Sequence, residues 1–177
     1  MELSIIKEYG CVHLKNALTL TEQSSLLSLV SSNVRGVGTA PGIFHASSGT
    51  GPHCVPPLHA LGESLFTRCA EALSEAVEGG NITAGEVERD PSLKRLADLA
   101  SGSRPPVISN VTGASYKPGS TMVNHSDLDR PLYTMSVAVG EACDFVVGRR
   151  TSRPKGNERS GRPVKVRMCS GDAIYFD

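Results

Sequence analysis

Residues 125–140 read HSDLDRPLYTMSVAVG, and this stretch decides the fold that we expect. From Tyr133 to Val139 larger apolar side chains alternate with small or polar ones, which is typical of a half-buried strand. In an extended segment, side chains two residues apart lie on the same side, so His125 and Asp127 project together. One imidazole and one carboxylate are two of the three ligands of a facial iron site, which also takes a second histidine.

Further strands follow this stretch, each bounded by turn-forming residues. Short apolar runs lie at Cys143–Val147, Val164–Met168 and Ala173–Phe176, and the turn Ser170-Gly171-Asp172 comes just before the last run. Upstream, the Pro-Gly pair of Tyr116-Lys117-Pro118-Gly119 marks a turn that leads into the segment containing the histidine. The alternation of strands and turns predicts a sheet-rich second half of the chain, with the candidate ligands at the head of one strand.

The order of these motifs resembles that of the AlkB family of 2-oxoglutarate- and Fe(II)-dependent dioxygenases. Members carry a tyrosine before a turn, an HxDxD motif, a strand with a serine and a closing glycine, and a Gly-Asp turn into an apolar strand. The matching elements here are Tyr116, His125, Asp127, Asp129, Ser136, Gly140, Gly171 and Asp172. The early GCVHLKNALTLTEQ, residues 10–23, is similar to the family's opening strand and the start of its first helix.

The resemblance implies an α+β fold in a single domain over residues 1–177. It covers residues 106–177 best and residues 9–30 more weakly. The jelly-roll core, a double-stranded β-helix, would lie in residues 106–177. Residues 1–105 would supply N-terminal helices packed outside that core, together with a substrate-lid region.

The resemblance also implies roles for individual residues. His125 and Asp127 match the first two Fe(II) ligands, and Asp129 matches an acid that faces the target base in some members. Tyr116 and Ser136 match positions that contact the cosubstrate 2-oxoglutarate. Complete members remove alkyl groups oxidatively from nucleobases. Their expected substrates are single-stranded DNA or RNA, or flipped bases, because a base has to leave its stack to reach the metal.

Two departures from the family pattern bear on activity. Relatives usually carry asparagine two residues before the tyrosine, and this chain has Ala114, so one cosubstrate hydrogen bond would be missing or supplied by Asn110 or Thr112. The distal histidine and the carboxylate-binding arginines of the family lie after the Gly-Asp strand, whereas this sequence has no histidine after His125 and stops at Asp177. We therefore expect a truncated member, incomplete at the C-terminus of its jelly roll, with little or no turnover by itself.

Charge is distributed unevenly along the chain, although the total is zero. Residues 149–167 contain eight basic residues and one acid, Glu158, among glycines, serines and prolines that are typical of a long hairpin loop. Such a loop is either a solvated tip or a contact to nucleic-acid phosphates, which would make binding strongly salt-dependent. The candidate substrate contacts in it are Arg149, Arg150 and Arg153.

The other histidines do not form a recognised metal pattern. The spacing of His45, His53, Cys54 and His59 matches no standard zinc site, and the glycines, serines and prolines among them predict a surface loop. His13 lies in an apparent strand, Cys11 to Leu14, and is expected to be a packed or half-exposed residue rather than a ligand.

Three helices are predicted. Thr21 is the expected N-cap of the first, whose buried stripe contains Leu26, Leu27 and Val30. Apolar residues at steps of three and four predict a second helix from about Leu58 to Val77, ended by Gly79-Gly80, and proline at the first turn predicts a third over Pro91–Ala100. A strand is expected at Val107–Val111.

Composition bounds the location and the class of protein. The chain has 177 residues, which suit one domain with a core, and it contains no long apolar run that predicts a transmembrane helix. The N-terminus lacks the pattern of a secretory signal, and five cysteines at irregular spacings favour reduced thiols. We expect an intracellular protein without membrane contact.

Three functions compete at this point. The first is a nucleic-acid dealkylating dioxygenase that needs Fe(II) and 2-oxoglutarate. The second is a 2-oxoglutarate oxygenase acting on protein side chains, which the Asp129 match and the basic segment disfavour. The third is a catalytically inactive nucleic-acid-binding or partner-binding fragment, which the missing ligand and Ala114 favour. The first two depend on His125, and the third does not.

Overall fold

A computed structural model describes residues 1–33, 43–47, 56–102, 108, 110–114, 116, 119, 121, 133–148 and 162–176. Within these ranges the chain forms strands and helices in mixed order. The strands are β1 Glu2–Ile6, β2 Cys11–Lys15, β3 Ile43–Ser47, β4 Asn110–Ala114, β5 Thr134–Val137, β6 Cys143–Val147, β7 Val164–Met168 and β8 Ala173–Phe176. The helices are α1 Leu20–Asn33, α2 Pro56–Glu78, α3 Ala84–Arg89 and α4 Pro91–Ser101.

The strands form three antiparallel sheets. The largest has the order β1-β2-β8-β5, so the last described strand lies between β2 from the first part of the chain and β5 from the second half. Tyr175 of β8 is paired with Val12 of β2 on one side and with Met135 of β5 on the other. β3 pairs with β4, and β6 with β7, as separate two-stranded ladders. The α+β class is therefore confirmed, and the sheets of the described residues are open rather than closed into a barrel.

Helices α2 and α4 cover one face of the four-stranded sheet. Val12 and Leu14 of β2 and Tyr175 of β8 belong to the same buried apolar cluster as residues of these helices. The ring of Phe66 meets that of Tyr175 edge to face, with centroids 6.0 Å apart, and the Tyr175 hydroxyl donates to the Ser92 carbonyl oxygen at 3.0 Å. The helices thus pack against the sheet by apolar burial and a buried hydrogen bond.

The β6–β7 hairpin covers the opposite face. Ile174, which alternates with Ala173 and Tyr175 along β8, packs in a second buried cluster with Val147, Val166 and Met168. Successive side chains of a strand point to opposite faces, so β8 contributes to both clusters. The described part of the molecule therefore has three layers: helices, the four-stranded sheet and the hairpin.

The first helix begins two residues before the position expected from the sequence. The Thr19 hydroxyl accepts from the Glu22 backbone N–H at 3.2 Å, and the Glu22 carboxylate accepts from the Thr19 backbone N–H at 2.8 Å. This reciprocal pair is a capping box, so the N-cap is Thr19, and the prediction of Thr21 was wrong. The Thr19-x-x-Glu22 spacing was the stronger signal.

Several other predictions can be compared with the structure. The predicted strands at β6, β7 and β8 are confirmed with the same bounds, and the second and third predicted helices are confirmed as α2 and α4. The loop reading of the region around His45 was wrong for Ile43–Ser47, which form β3. Two elements were not foreseen, β1 and α3. The predicted strand at Val107–Val111 overlaps β4, which begins at Asn110.

Among the described residues, no helix has both the length and the apolar character needed to cross a membrane.

Candidate functional site

A buried carboxylate, Asp172, lies at the centre of the turn that leads into β8. The residue is only 3% exposed. One oxygen, Oδ1, accepts from the Asn16 backbone N–H at 2.9 Å, and Oδ2 accepts from the Cys169 backbone N–H at 2.8 Å. Nε2 of His13, itself 4% exposed, lies 3.2 Å from the same Oδ2. The carboxylate therefore holds the end of β2 and the turn before β8 together, and its burial is compensated by these partners.

Gly171, the residue before this carboxylate, is fixed by close contacts on both sides. It has φ +88°, and a Cβ there would lie 2.4 Å from Nε2 of Gln23, so a side chain is excluded by conformation and by space. Its N–H donates to the Ala138 carbonyl at 2.8 Å, and its carbonyl accepts from the Leu18 N–H at 3.0 Å. The turn thus joins the end of β5 to the start of α1.

Ser170 of this turn connects two other parts of the chain, α1 and the segment that follows β5. The Ser170 hydroxyl donates to Oε1 of Gln23 at 2.6 Å and accepts from the Gly140 backbone N–H at 3.0 Å. Gln23 ends the early matching segment, Gly140 closes the strand after the HxDxD motif, and Gly171 belongs to the Gly-Asp turn. Three segments far apart in the sequence therefore meet at this turn.

Ser136 lies on the face of the sheet that is turned towards the hairpin. It pairs with Ile174 of β8, and Ile174 pairs with His13 of β2, so these three residues form one cross-strand row. Paired residues of a ladder project to the same face, and Ile174 packs with the hairpin residues Val166 and Met168. Ser136 is half-buried in this row.

The remaining sequence-predicted site residues fall into two groups. Tyr116 is described and is 45% exposed. His125, Asp127, Asp129, Arg149, Arg150 and Arg153 lie outside the described residues. The aromatic residue nearest to the HxDxD motif in the described part is Tyr133, whose ring lies 5.3 Å from the guanidinium carbon of Arg95 on α4. This contact connects α4 to the residue just before β5, which lies four residues after Asp129 in the sequence.

Among the described residues, no three His, Cys, Asp or Glu side chains form a group that could hold a metal ion. His13 is buried and its Nε2 faces Asp172, which confirms the prediction of a packed residue. The imidazole atom nearest a carboxylate is thus already engaged, so His13 does not offer this nitrogen to iron.

A second charged feature lies on the hairpin. The Asp144 carboxylate of β6 is 3.1 Å from both Lys165 Nζ and Arg167 Nη1 of β7. The hydrogen bond from Lys165, then that from Arg167, holds the pKa of Asp144 below its ordinary value of 3.8. This pattern places two cations and one anion on the exposed side of the hairpin, next to the basic segment of the sequence.

Sequence reasoning missed the pairing of His13 with Asp172. These residues are 159 positions apart, and they meet only because β2 and β8 are neighbours in the sheet. A histidine between Val12 and Leu14 in an alternating strand was a usable signal, since it predicts a side chain on the face opposite to the apolar core. The partner was not readable from the sequence alone.

No protein-family model, curated protein or solved structure matches the chain. The functional interpretation consequently depends on the motifs and on the geometry of the described residues. The geometry that bears on it most directly is the convergence at Gly171-Asp172 and the layer arrangement around β8.

Proposed function

We propose that this chain is an AlkB-like dioxygenase that uses Fe(II) and 2-oxoglutarate to dealkylate nucleobases of DNA or RNA, with little activity by itself. The observation that carries the proposal is the nested pairing of its last four strands. β5 pairs with β8, while β6 and β7, which lie between them in the sequence, pair with each other in a separate layer.

Nested pairing is what a jelly roll requires. In a Greek key the fourth strand returns to lie beside the first, and a jelly roll combines such units across two facing sheets. β8 returns beside β5 in this way, and the β6–β7 hairpin packs over Ile174 on the facing side. These features support a double-stranded β-helix core, which is the architecture implied by the resemblance.

The position of Ser136 supports a cosubstrate site between the layers. It belongs to β5, which starts a few residues after the HxDxD motif, and it faces the hairpin side of the sheet. A hydroxyl in this place can donate to a carboxylate or a keto oxygen of a bound 2-oxo acid. We propose that Ser136 binds 2-oxoglutarate there, together with Tyr116.

The proposed metal site has two ligands in this chain, His125 and Asp127. With a second histidine they would form a facial triad, and Fe(II) held there would allow O2 to oxidise 2-oxoglutarate to succinate and carbon dioxide, coupled to hydroxylation of the alkyl group. Two ligands alone form an incomplete triad, and the sequence has no histidine after His125. The donor set thus fits iron in type and falls short in number, which is why low activity is proposed for the chain alone.

The nucleic-acid substrate is proposed from Asp129 and from the basic residues. Asp129 would accept a hydrogen bond from an exocyclic amine of the target base, and a base held out of its stack is needed for this contact. Arg149, Arg150 and Arg153 would contact phosphates and position the strand without reading its sequence. Binding by such contacts weakens steeply with salt.

The proposal is tested by anaerobic titration with Fe(II) and 2-oxoglutarate, following the visible charge-transfer band of the chelated complex. Five proteins are compared: this chain, a form extended past Asp177, and the variants His125→Ala, Ser136→Ala and Ser74→Ala of the extended form. Ser74→Ala, which removes a hydroxyl from an exposed position of α2, is the matched control for Ser136→Ala. We expect a strong band in the extended form, loss of it with His125→Ala, and roughly tenfold weaker 2-oxoglutarate binding with Ser136→Ala, since about 1.4 kcal/mol corresponds to a lost hydrogen bond.

Each alternative has its own outcome. Succinate release by this chain at the rate of the extended form would contradict the proposed low activity. The absence of a band in every form, with oligonucleotide binding unchanged in His125→Ala, would contradict the dioxygenase and favour a non-catalytic nucleic-acid-binding protein. A band with no effect of oligonucleotides on turnover, and with hydroxylation of a peptide, would favour the protein-modifying oxygenase.

A further inference from the structure

The outward face of the β6–β7 hairpin combines exposed cations with a fixed backbone. Along β7 the side chains of Val166 and Met168 are buried, while Lys165 and Arg167 alternate with them and are 66% and 62% exposed. Asp144 of β6, paired with Arg167 in the ladder, is 42% exposed on the same face. These three residues, Asp144, Lys165 and Arg167, are called the hairpin face below.

Asp144 uses both oxygens to hold the two cations side by side. Oδ2 lies 3.1 Å from Lys165 Nζ, and Oδ1 lies 3.1 Å from Arg167 Nη1. The hairpin face therefore carries a net charge of one positive unit, with both cations arranged around a single anion. Exposed ion pairs of this kind contribute little to stability, so an anionic ligand can displace the carboxylate at low cost.

The backbone beneath these side chains is anchored from behind. The Tyr9 hydroxyl donates to the Arg162 carbonyl oxygen at 2.8 Å, just before β7. At the end of β6, Gly148 has φ +85°, and a Cβ there would lie 2.1 Å from the Tyr9 ring. Tyr9 thus contacts the residue just after β6 and a residue just before β7. The cations therefore project from a ladder that is already ordered before a ligand binds.

We propose that the hairpin face binds the phosphate backbone of single-stranded nucleic acid through Lys165 and Arg167, and that Asp144 is a competing anion that limits this affinity. Residues two apart in a strand are separated by about 6.7 Å, a spacing that lets the two cations contact successive phosphates of an extended strand. Carboxylate and phosphate compete for the same N–H donors. The identity of the ligand rests on the proposed function, whose substrate is nucleic acid.

The charge of the neighbouring sequence favours the same partner. Residues 149–161, which connect the two strands of the hairpin, contain five basic residues and Glu158 as their only acid. A polyanion that follows the hairpin would meet cations of one sign on a connected length of chain. Lys165 and Arg167 belong to the basic run 149–167 of the sequence, and the structure shows that both side chains are exposed on one face of β7.

The experiment measures binding of a fluorescein-labelled oligothymidylate by anisotropy over a series of salt concentrations. Asp144→Asn removes the competing charge, and Lys165→Ala with Arg167→Ala removes both donors. The matched controls change the same charges elsewhere: Glu88→Gln breaks the exposed ion pair with Lys94, and Lys7→Ala with Lys94→Ala removes two exposed, ion-paired lysines. Thermal melting verifies that each variant is folded.

We expect Asp144→Asn to bind roughly threefold to tenfold more tightly than the unmodified chain. The double alanine variant should bind at least about tenfold more weakly, and its salt slope should fall by about 1.4, since each single-strand phosphate contact contributes about 0.7. The control variants should stay within about twofold. A gain of affinity in Asp144→Asn at an unchanged melting temperature does not depend on the double variant, so the proposal remains testable if the double variant is unstable.

Three results would overturn the inference. The first is an equal effect of Glu88→Gln and Asp144→Asn, which would show a response to net charge alone. The second is an unchanged salt slope in the double variant. The third is tighter binding of a sulfated glycan through the same two residues, which would assign the face to another class of polyanion. The iron titration does not involve these residues, so loss of the charge-transfer band with normal oligonucleotide binding would contradict the dioxygenase proposal only.

Discussion

The two faces of the four-stranded sheet are built from the same strands and differ in chemistry. On the helix-covered face, β8 contributes Ala173 and Tyr175 to a large apolar cluster with α2 and α4. On the hairpin-covered face, Ile174 has polar neighbours in its own cross-strand row, His13 and Ser136. Burying polar groups costs free energy unless they are paired, and an apolar filling would serve packing alone equally well. The comparison therefore indicates that the helix-covered face is held by apolar packing, while the hairpin-covered face combines apolar packing with buried and half-buried polar side chains.

The largest effect is expected for Asp172→Ala, which breaks the polar side of this comparison. It removes the acceptor for the Asn16 and Cys169 backbone N–H groups and leaves His13 Nε2 buried without its carboxylate. We expect a loss of about 3–5 kcal/mol in the free energy of unfolding, since two backbone N–H groups and the His13 ring lose their partner, at about 1–3 kcal/mol for each buried polar group left unpaired. Equilibrium unfolding in urea measures it.

Asp172→Asn is the shape-conserving control. It retains one acceptor oxygen and places an amide near two N–H donors, so its loss should be smaller than that of the alanine variant and clearly above zero. A loss below about 1 kcal/mol for Asp172→Ala would contradict the structural role given to this carboxylate. The site would then have to be organised by the surrounding backbone hydrogen bonds alone.

The next largest effect is expected for Leu96→Ala, which disrupts the apolar packing on the helix-covered face of the sheet. Leu96 of α4 is fully buried in the cluster against the sheet, and its truncation should cost about 2–4 kcal/mol in the free energy of unfolding. The chain carries a thiol on each face to localise the damage: Cys69 lies in the helix-side cluster and Cys11 in the hairpin-side cluster. Burial raises the pKa of Cys69 to about 12, so the folded protein should protect it from alkylation.

Alkylation followed by peptide mass mapping distinguishes the two faces. Leu96→Ala should accelerate labelling of Cys69 more than that of Cys11, and Asp172→Ala should do the reverse, because local opening precedes global unfolding. The exposed thiol of Cys143 provides the reference rate in every variant. Equal acceleration of both buried thiols in both variants would show that the faces unfold as one unit.

Local patterns predicted much of the second half of the fold. β6, β7 and β8 were found with their bounds because each is a short apolar run between turn residues, and α2 was found because its apolar positions recur at helical steps. β3 was missed because its five residues lie in a stretch rich in glycine, serine and proline, and because its partner β4 is distant in the sequence. Strand pairing over such distances has no local signal.

The candidate site was predictable only as a set of separate motifs. Gly171-Asp172 and Gly140 were recognised as turn or closing residues. The hydrogen bonds of Ser170 with Gln23 and Gly140 follow from the register of β5 on β8 and the position of α1. The partner of His13 depends on β2 lying beside β8. The residue types thus indicated which residues belong to the candidate site, and the order of the strands determined which of them are in contact.

The smallest predicted effect concerns α1. Two adjacent residues of this helix contact different regions, the polar turn before β8 and helix α2. Gln23 contacts Ser170 of the polar turn, whereas Glu22 accepts from the Arg68 guanidinium of α2 through both oxygens, at 2.5 and 3.3 Å. The hydrogen bond from Arg68, followed by that from the Thr19 backbone, lowers the pKa of Glu22 from 4.5 to about 2. Arg68 also donates to the Ala17 carbonyl at 2.7 Å.

A lowered pKa in the folded state means that the ionised Glu22 stabilises the protein above pH 4.5 and that this contribution is lost as the pH falls towards 2. Because both side chains are partly exposed, we expect the contribution to be about 1–2 kcal/mol rather than the full value implied by the shift. Glu22→Gln retains the capping box while removing the charge. The free energies of the two proteins should therefore differ at pH 6 and converge near pH 2. Gln23→Ala should lower stability to a similar extent at both pH values, since no ionisable group is removed. A Glu22→Gln difference that does not change with pH would show that Arg68 binds this side chain through hydrogen bonds that are independent of its charge.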